Sequence, residues 1–408
     1  MESKPDFKGN LRSSLLLMAA SLIVAFLLAE ITLRVLGISY PSPATVMQKD
    51  YYRGFSYTPD NEWLQSSERP LHLVVINSEG FNDRIHELKK PPGYFRIAVL
   101  GDSYTAAIHV ERKQRFTEII EKELNRRKCF SPRKVEVMNF GVSDYGTAQE
   151  LMVLRNDIWK YHPDMVILVF WPANDLDDNL KELSWNQCRP YTVIRDGKPE
   201  FDYSFRSLQS ADCGASKLTL FVEQSRVLQL GRQAYTQVQN LIDKYSGRKE
   251  EIRKAEFSTL MDEAVSPHFI SIYHESNDEK RRQSWVITDK LISIMNRETR
   301  EKGVKFFVVS LGTHLQETPD MSVRKKLLEN TGTDTLFYPG NRIKSIGQRE
   351  GFAVLDLAPP FQQFADKNQI YMHNYIKDNG LVTPFGHWNV QGHKLAAQII
   401  SDELCQKQ

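Results

Sequence analysis

A serine on a tight turn is the first residue of this chain that can act as a nucleophile. Ser103 follows Gly101 and Asp102 at the end of the apolar run FRIAVLG, residues 95–101. A buried strand that enters such a turn and then a helix lifts a hydroxyl to the carboxyl edge of a sheet, beside helix N–H groups. Turns favour all three of these residue types. The triplet therefore indicates a catalytic site only if partner groups follow other strands.

Partner groups do follow three other segments, and they are Gly141, Asn174 and His387. In an open α/β sheet, groups beyond the carboxyl ends of the strands converge on one edge. Acyl transfer requires an attacking oxygen, a base for its proton, and donors for a tetrahedral oxyanion. Each residue alone is more often a turn or core residue, so it is their combination that indicates this chemistry.

The elements that must position these groups alternate along the chain. The predicted strands span 95–101, 134–142, 165–171, 304–312 and 351–357, and the predicted helices span 116–127, 147–161, 285–302 and 392–404. Strands that alternate with helices predict a parallel sheet covered on both faces, in the α/β class. The unbroken apolar run MVILVFW is typical of a central parallel strand.

Two regions lie outside this alternation. Residues 38–93 are predicted to form a short stem and a β-rich lead-in, in which LHLVVINSEGF suggests a strand and a turn. Between about 180 and 284 the chain is polar, charged and aromatic, with helical stretches near 219–245 and 248–264. We expect a mostly helical insertion over the strand ends, either as a lid or substrate platform or as a plain structural element.

The N-terminal segment predicts a transmembrane helix. Its apolar stretch from Leu15 to Gly37 is 23 residues long, or about 34 Å at ~1.5 Å per residue, which spans a bilayer. Glu30 and Arg34 lie four residues apart on one face and can pair. Three basic residues precede the stretch, namely Lys4, Lys8 and Arg12. By the positive-inside rule the N-terminus is then cytoplasmic and the remainder lies outside.

A cleaved signal peptide is the alternative to an anchor, but Leu27-Leu28-Ala29 is a poor cleavage site. The predicted organisation is a cytoplasmic tail (1–12), a transmembrane anchor (13–37), the stem and lead-in (38–93), and an α/β domain (94–408) with its insertion at about 180–284. The expected location is a bacterial inner membrane, with the large domain in the periplasm.

Composition excludes some functions and constrains others. The 53 basic and 51 acidic residues leave a net charge of +2, so charge gives no reason to expect nucleic-acid binding. Of the four cysteines, Cys188 and Cys213 flank one segment and can be bridged outside the cytoplasm. Cys129 and Cys405 are interpreted as buried thiols. The spacing of cysteines and histidines indicates no metal site, and no cofactor is expected.

At these motifs the chain resembles the SGNH (GDSL-type) hydrolases, over about residues 95–404. Ser103 of GDSYT matches the family's nucleophile, whose N–H also lines the oxyanion hole. Gly141 matches the glycine that donates a backbone N–H, Asn174 of AND matches the asparagine that donates its amide, and His387 of GHWN matches the base. The resemblance implies a three-layer, flavodoxin-like parallel sheet. NSEGFNDR followed by FRIAVLGDSYT is similar to a membrane-anchored bacterial branch of the family.

Two positions depart from the family pattern. Pro172 stands where the family has glycine, two residues before the asparagine. The family commonly carries an aspartate two or three residues before the base, and this chain has Phe385 and Pro384 there. The candidates for an acid are Asp378 and Asp356. A backbone carbonyl that orients His387, giving a Ser–His dyad, is the other option.

The resemblance implies a serine esterase or O-acyltransferase that acts outside the cytoplasm. Its substrates would be acyl esters, foremost acetyl esters, of an envelope glycan or similar acceptor. Its partners would be this carbohydrate and the membrane. The alternative is a non-catalytic binding or assembly subunit of an envelope polysaccharide pathway, which keeps the fold but has lost the triad acid.

Overall fold

The computed structural model describes residues 7–38, 46–65, 72–208, 224–245, 249–376 and 382–407. In chain order its strands are β1 (Met47–Asp50), β2 (Gly54–Tyr57), β3 (Glu62–Gln65), β4 (His72–Val75), β5 (Tyr94–Gly101), β6 (Lys134–Gly141), β7 (Met165–Phe170), β8 (Tyr191–Arg195), β9 (Lys198–Asp202), β10 (Lys305–Ser310), β11 (Ala353–Asp356), β12 (His373–Ile376) and β13 (Val382–Trp388).

Its α-helices, in chain order, are α1 (Phe7–Val35), α2 (Ser103–Ala106), α3 (Phe116–Arg127), α4 (Thr147–Val153), α5 (Pro172–Asp178), α6 (Arg226–Tyr245), α7 (Lys249–Glu263), α8 (Pro267–Ile270), α9 (Glu279–Glu301), α10 (His314–Glu317), α11 (Met321–Thr331), α12 (Tyr338–Glu350), α13 (Ala358–Asn368) and α14 (Val390–Gln406).

A five-stranded parallel sheet organises the large domain, with the order β11-β10-β7-β5-β6. This is the doubly wound, flavodoxin-like order, so the fold expected from the sequence is confirmed. Gly101 at the end of β5 lies beside Gly141 at the end of β6. The carboxyl ends of these strands are therefore level, and the residues that follow them meet at one edge.

Side chains of the sheet alternate between two apolar layers. In β5, Ala98 and Leu100 pack into one core with α4 and α9. Ile97 and Val99 point the other way, into a core with α3 and α14. The period of two along a strand sets this division, and helices on both faces exclude water from the sheet. The result is the three-layer arrangement that alternating strands and helices predict.

A disulfide ties the second helical layer together. Cys129, which follows α3, is bonded to Cys405 in α14. The interpretation of these two residues as free thiols was therefore wrong, because α3 and α14 pack side by side and bring them together. Cys188 is also disulfide-bonded, whereas Cys213 lies outside the described residues.

The insertion is not purely helical. Strands β8 and β9 form an antiparallel hairpin, and α6, α7 and the short α8 follow it. Asp196 and Gly197 make its turn, both with positive φ, as a two-residue hairpin turn requires. The helical expectation holds for the second half of the insertion and missed the hairpin in the first half.

The N-terminal helix α1 matches the predicted span. Its stretch Ser13–Val35 is 23 residues long with a mean hydropathy of 2.4, and none of it is buried against the rest of the protein. By length and composition this helix can cross a membrane or serve as a signal sequence. Glu30 and Arg34 pair within it, with 2.8 Å between Arg34 Nε and Glu30 Oε1. Parts of the predicted stem, residues 39–45 and 66–71, lie outside the described residues.

Candidate active site

The turn between β5 and α2 presents Ser103. A side chain on Gly101 would lie 2.2 Å from Thr105 Oγ1, so only glycine lets the strand turn this sharply onto the helix. Asp102 caps α2 because its carboxylate accepts the N–H of Tyr104 at 2.9 Å. Within the described residues the N–H of Ser103 has no hydrogen-bond acceptor. The serine therefore stands at a helix N-terminus with an N–H to offer.

His387 lies directly against this serine. Its Nε2 is 2.8 Å from Ser103 Oγ, across 284 residues of sequence. The imidazole stacks on His109 with ring centroids 4.7 Å apart, and it meets Tyr104 in an edge-to-face arrangement with ring centroids 5.1 Å apart. The two residues predicted as nucleophile and base are thus in hydrogen-bond contact, with the ring orientation restricted by its neighbours.

Two side chains, His373 and Tyr104, hold the backbone of the segment that carries His387. His373 Nδ1 is 3.2 Å from the carbonyl oxygen of Gly386, and Tyr104 OH donates to the same oxygen at 3.3 Å. Tyr104 OH and His373 Nδ1 are 3.1 Å apart. Gly386 has a φ of +96°, a conformation that favours glycine. These contacts position the backbone immediately before the base.

A buried carboxyl group anchors this support. Glu317 Oε2 is 2.6 Å from His373 Nε2, and both side chains are buried. Burial raises the pKa of Glu317 well above its usual range and lowers the pKa of His373 to about 3. Both directions favour the neutral forms of the pair. In these forms the protonated Glu317 donates to Nε2, and Nδ1–H of His373 donates to the carbonyl of Gly386.

Asn174 lies next to the nucleophile turn. It occupies the first turn of α5, and its Nδ2 donates to the carbonyl of Tyr145 at 3.1 Å. The same side chain makes a polar contact with Asp102 that lowers the pKa of this carboxyl. These two contacts hold the amide beside the turn that carries Ser103. Burial raises the pKa of Asp102 to about 6, and the Tyr104 N–H opposes that shift.

Asp175 supports the same turn. Its carboxylate accepts the N–H of Trp171 at 2.8 Å and the hydroxyl of Thr147 at 2.8 Å. Burial raises its pKa well above the usual range, with the nearby Asp102 as the second cause. Glu150 is buried beside them, and its pKa is also raised well above the usual range by burial and by these two carboxyls.

Gly141 does not have the predicted role. Its N–H already donates to Asn139 Oδ1 at 2.9 Å. A side chain at this position would lie 2.3 Å from the backbone nitrogen of Ala106. The glycine is therefore explained by the close approach of β6 to α2, and the expectation that it donates to an oxyanion is corrected.

A different backbone group on the same loop is unoccupied. Asp144 has a φ of +66°, uncommon for a residue other than glycine. Within the described part of the chain its N–H has no acceptor. The next residue, Tyr145, accepts the Asn174 amide, so this N–H lies on the loop that borders the nucleophile turn.

The two candidates for the triad acid have different outcomes. Asp356 ends β11, and its carboxylate contacts Lys344 Nζ at 3.0 Å and the N–H of Ala358 at 3.2 Å. These contacts hold it at the edge of the sheet and do not include His387, so its proposed role is corrected. Asp378 lies outside the described residues and stays a prediction.

The insertion reaches the site through Asp144. Its carboxylate accepts hydrogen bonds from Arg189 Nη2 at 2.8 Å, Trp185 Nε1 at 3.1 Å and Asn186 Nδ2 at 3.3 Å. Arg189 is fully buried and also pairs with Asp178 at 2.8 Å. The start of the insertion is thus fixed to the loop beside the nucleophile, and Trp185 is 74% exposed there.

Sequence reasoning missed the groups that support the base, namely Tyr104, His109, Glu317 and His373. Tyr104 belongs to the GDSYT segment, and its position beside Ser103 was a usable signal. The other three carry none, because they are single polar residues brought together only by packing. His393 is buried on the same side, with its Nε2 3.2 Å from His109 Nε2.

No cluster of three or more metal-ligating side chains occurs among the residues that the structure describes. No protein-family model matches the sequence, and no curated protein is found to be similar to it.

Solved structures similar to this chain are esterases and lipases. An acetyl xylan esterase, AlAXEase, has a TM-score of 0.37 and 11% identity, covering 76% of this chain and 99% of its own. The lipase/acylhydrolase from Enterococcus faecalis has a TM-score of 0.34 and 12% identity, covering 77% and 96%. A mutant of Axe2, an acetylxylan esterase from Geobacillus stearothermophilus, has a TM-score of 0.36 and 11% identity, covering 78% and 96%. Similarity at this level carries no conclusion about activity.

Proposed function

We propose that this protein is a serine esterase or O-acyltransferase of the SGNH type. The observation that carries the proposal is the hydrogen bond of 2.8 Å between Ser103 Oγ and His387 Nε2 at the carboxyl edge of the sheet. A serine hydroxyl is a weak nucleophile until an adjacent base accepts its proton. This contact supplies that base at hydrogen-bond distance.

In the proposed reaction Ser103 Oγ attacks an ester carbonyl carbon while His387 Nε2 accepts its proton. The tetrahedral intermediate collapses to an acyl-serine, and the departing alcohol takes the proton back from His387. A second hydroxyl then attacks the acyl-serine and loses its proton to His387. The bond between the acyl group and Ser103 Oγ breaks, and Ser103 Oγ takes that proton back. Hydrolysis follows when that hydroxyl is water, and transfer follows when it belongs to an acceptor such as a sugar.

The oxyanion would be held by Ser103 N–H, Asn174 Nδ2 and Asp144 N–H. Support comes from the two backbone groups that have no acceptor within the described residues and from the Asn174 amide, which lies beside the turn that carries Ser103. Such donors are already in position when the negative charge develops on the oxygen, so they need no rearrangement during the reaction. Asp144 replaces Gly141 in this proposal because the N–H of Gly141 is occupied.

For the substrate we propose acyl esters on an envelope glycan, with acetyl as the smallest acyl group. The exposed ring of Trp185 is hydrogen-bonded to Asp144, on the loop beside Ser103. We propose that this ring gives a sugar of the glycan a flat surface on which to stack. For the location we propose a bacterial inner membrane, with α1 as an uncleaved anchor and the large domain in the periplasm. The apolar, unburied stretch Ser13–Val35 and the basic residues before it support this orientation.

Active-site labelling tests the proposal. A fluorophosphonate should react with the wild-type protein at Ser103, identified by mass spectrometry of the modified peptide. Ser103→Ala should remove labelling, and His387→Ala should slow it because the hydroxyl loses its base. A correctly folded wild-type protein that stays unlabelled would favour the non-catalytic binding subunit. Hydrolysis and transfer are then separated by adding a glycan acceptor to the turnover of an activated acetyl ester.

A further inference from the structure

Helix α6 has a wide apolar face that the described residues leave uncovered. On a helical projection its described apolar residues fall on one side, and its described Arg and Gln residues fall on the other. The exposed apolar side chains along this face are Leu228, Leu230, Tyr235, Val238, Leu241 and Ile242. Water-soluble surfaces rarely carry so many neighbouring apolar side chains without a partner.

The start of this helix is fixed to the proposed membrane span. Glu30 in α1 accepts the backbone N–H groups of Arg226 at 3.0 Å and Val227 at 3.1 Å, and the Ser225 hydroxyl at 2.9 Å. A carboxylate in this place caps the helix and complements its dipole. Arg34 adds a hydrogen bond of 2.8 Å to the carbonyl of Gln224. An ionisable residue within an apolar span is costly unless it is paired, and this cap supplies the partner.

The position of the cap sets the depth of α6. Glu30 precedes Val35, the last residue of the span, by five positions, or about 7.5 Å at ~1.5 Å per residue. Amphipathic helices that lie on membranes bury their apolar face about 5–10 Å into the boundary between headgroups and acyl chains. The capped start of α6 is therefore at the level where such a helix is stable.

We propose that α6 lies in the outer interface of the membrane that α1 spans, with its apolar face against the lipid acyl chains. This proposal rests on the proposed anchor and extends it. A lipid surface is favoured over a protein partner because α6 is capped by α1 and packs against it, and the apolar stretch of α1 is itself unburied. Arg226 and Arg232 on the polar side then face the headgroups.

Depth-dependent fluorescence quenching in the reconstituted full-length protein tests this placement. Single cysteines carrying a polarity-sensitive dye are introduced by Val238→Cys on the apolar face, Gln233→Cys on the polar face as the matched control, and Val24→Cys within the span. Labelling is done without reductant, so that the native disulfides stay closed, and the unmodified protein serves as the blank. The vesicles contain phosphatidylcholine and phosphatidylglycerol. Iodide quenches dyes in water, and lipids with a nitroxide on the acyl chain quench dyes in the bilayer.

We expect the dye at position 238 to be quenched by nitroxide lipid and to be several-fold less sensitive to iodide than the dye at position 233. Equal sensitivity to iodide at both positions, with position 24 protected, would overturn the placement of α6 and leave the anchor standing. Protection of position 238 from both quenchers would mean that protein covers the face, as in a second copy of the chain. Iodide access at position 24 would instead contradict the anchor.

The cap can be tested by itself. Glu30→Ala in the Val238→Cys background should lower quenching by nitroxide lipid several-fold, because α6 loses its attachment to α1. Thr32→Ala is the matched control, since its hydroxyl bonds within α1 to Leu28. Equal quenching in the two variants would show that the cap does not hold α6 at the membrane.

Discussion

Ser103 and His387 share one hydrogen bond, but the segments that carry them are held in different ways. The serine turn is set by its immediate neighbours, with Gly101 allowing the turn and Asp102 capping the helix. The histidine lies on a hairpin, β12–β13, and depends on Tyr104 and on the Glu317–His373 pair, which are distant in sequence. The proposed nucleophile is therefore encoded by a contiguous motif, and the proposed base is placed by packing.

The largest effect is expected from breaking the contact between the two segments. Ser103→Ala or His387→Ala should each reduce kcat/KM for an activated acetyl ester by about 10⁴-fold or more. The double variant should lose little beyond either single one, because both residues act in the same step. His162→Asn is the control, an exposed histidine whose positive φ asparagine tolerates. Additive losses in the double variant would show that the two residues act independently.

A smaller effect is expected from the donor beside the serine. Asn174→Ala should lower kcat by about 10²–10³-fold with little change in KM, since an oxyanion donor acts mainly in the transition state. Asn368→Ala, an exposed asparagine at the end of α13, is the matched control. A change confined to KM would assign Asn174 to ground-state binding.

The effect of substituting Glu317 should depend on whether the new side chain can donate a hydrogen bond to His373, and not on whether it can carry a charge. Glu317→Gln keeps a neutral donor for His373 and should retain kcat/KM within about threefold of wild type, with the same pH profile. Glu317→Ala removes the donor and should cost about 10²-fold, as expected from a small displacement of a catalytic group. Loss of activity in Glu317→Gln comparable to that in Glu317→Ala would mean that Glu317 acts as an anion.

The smallest effect is expected in the free energy of unfolding, from a substitution of Glu150, which is buried near the turn that carries Ser103. The pKa of Glu150 in the folded protein is raised by burial. Its contribution to stability is thus complete below the unfolded pKa of about 4.3 and is lost as pH rises through the folded pKa. Glu150→Gln should therefore raise the free energy of unfolding by about 1–3 kcal/mol at pH 8 and leave it nearly unchanged at pH 4.

Thermal unfolding of Glu150→Gln at both pH values measures this difference. Glu182→Gln, at an exposed position, is the control and should change neither value. A gain in Glu150→Gln that is equal at pH 4 and pH 8 would show that the pKa of Glu150 is the same in the folded and unfolded states, which would contradict the effect of burial.

The difference between the two segments also explains what the sequence could predict. The five strands of the central sheet and the turn at Ser103 follow from local patterns of apolar residues, and the structure confirms them. The β8–β9 hairpin carried the Asp196-Gly197 signal and was still missed. Hairpin β12–β13 and the helices between β10 and β12 depend on long-range packing, which period and propensity do not report.

The same distinction applies inside the site. Ser103 and His387 were predicted from motifs, and their contact is observed. Gly141 was assigned from its position in a motif, but its N–H proved to be occupied by a neighbouring side chain. The Glu317–His373 pair joins two buried residues 56 positions apart. A single sequence marks such residues only as an isolated carboxyl and an isolated imidazole.

In the proposed topology, the disulfide between Cys129 and Cys405 would link the proposed activity to the compartment in which the chain matures. It closes a loop of 276 residues that contains both Asn174 and His387. In the proposed topology the bond forms only after residue 405 has crossed the membrane into an oxidising space. In a chain retained in the reducing cytoplasm, α14 would lack its disulfide to the segment after α3. The covalent tie would thus act as a checkpoint that delays a reactive hydrolase until it has been exported.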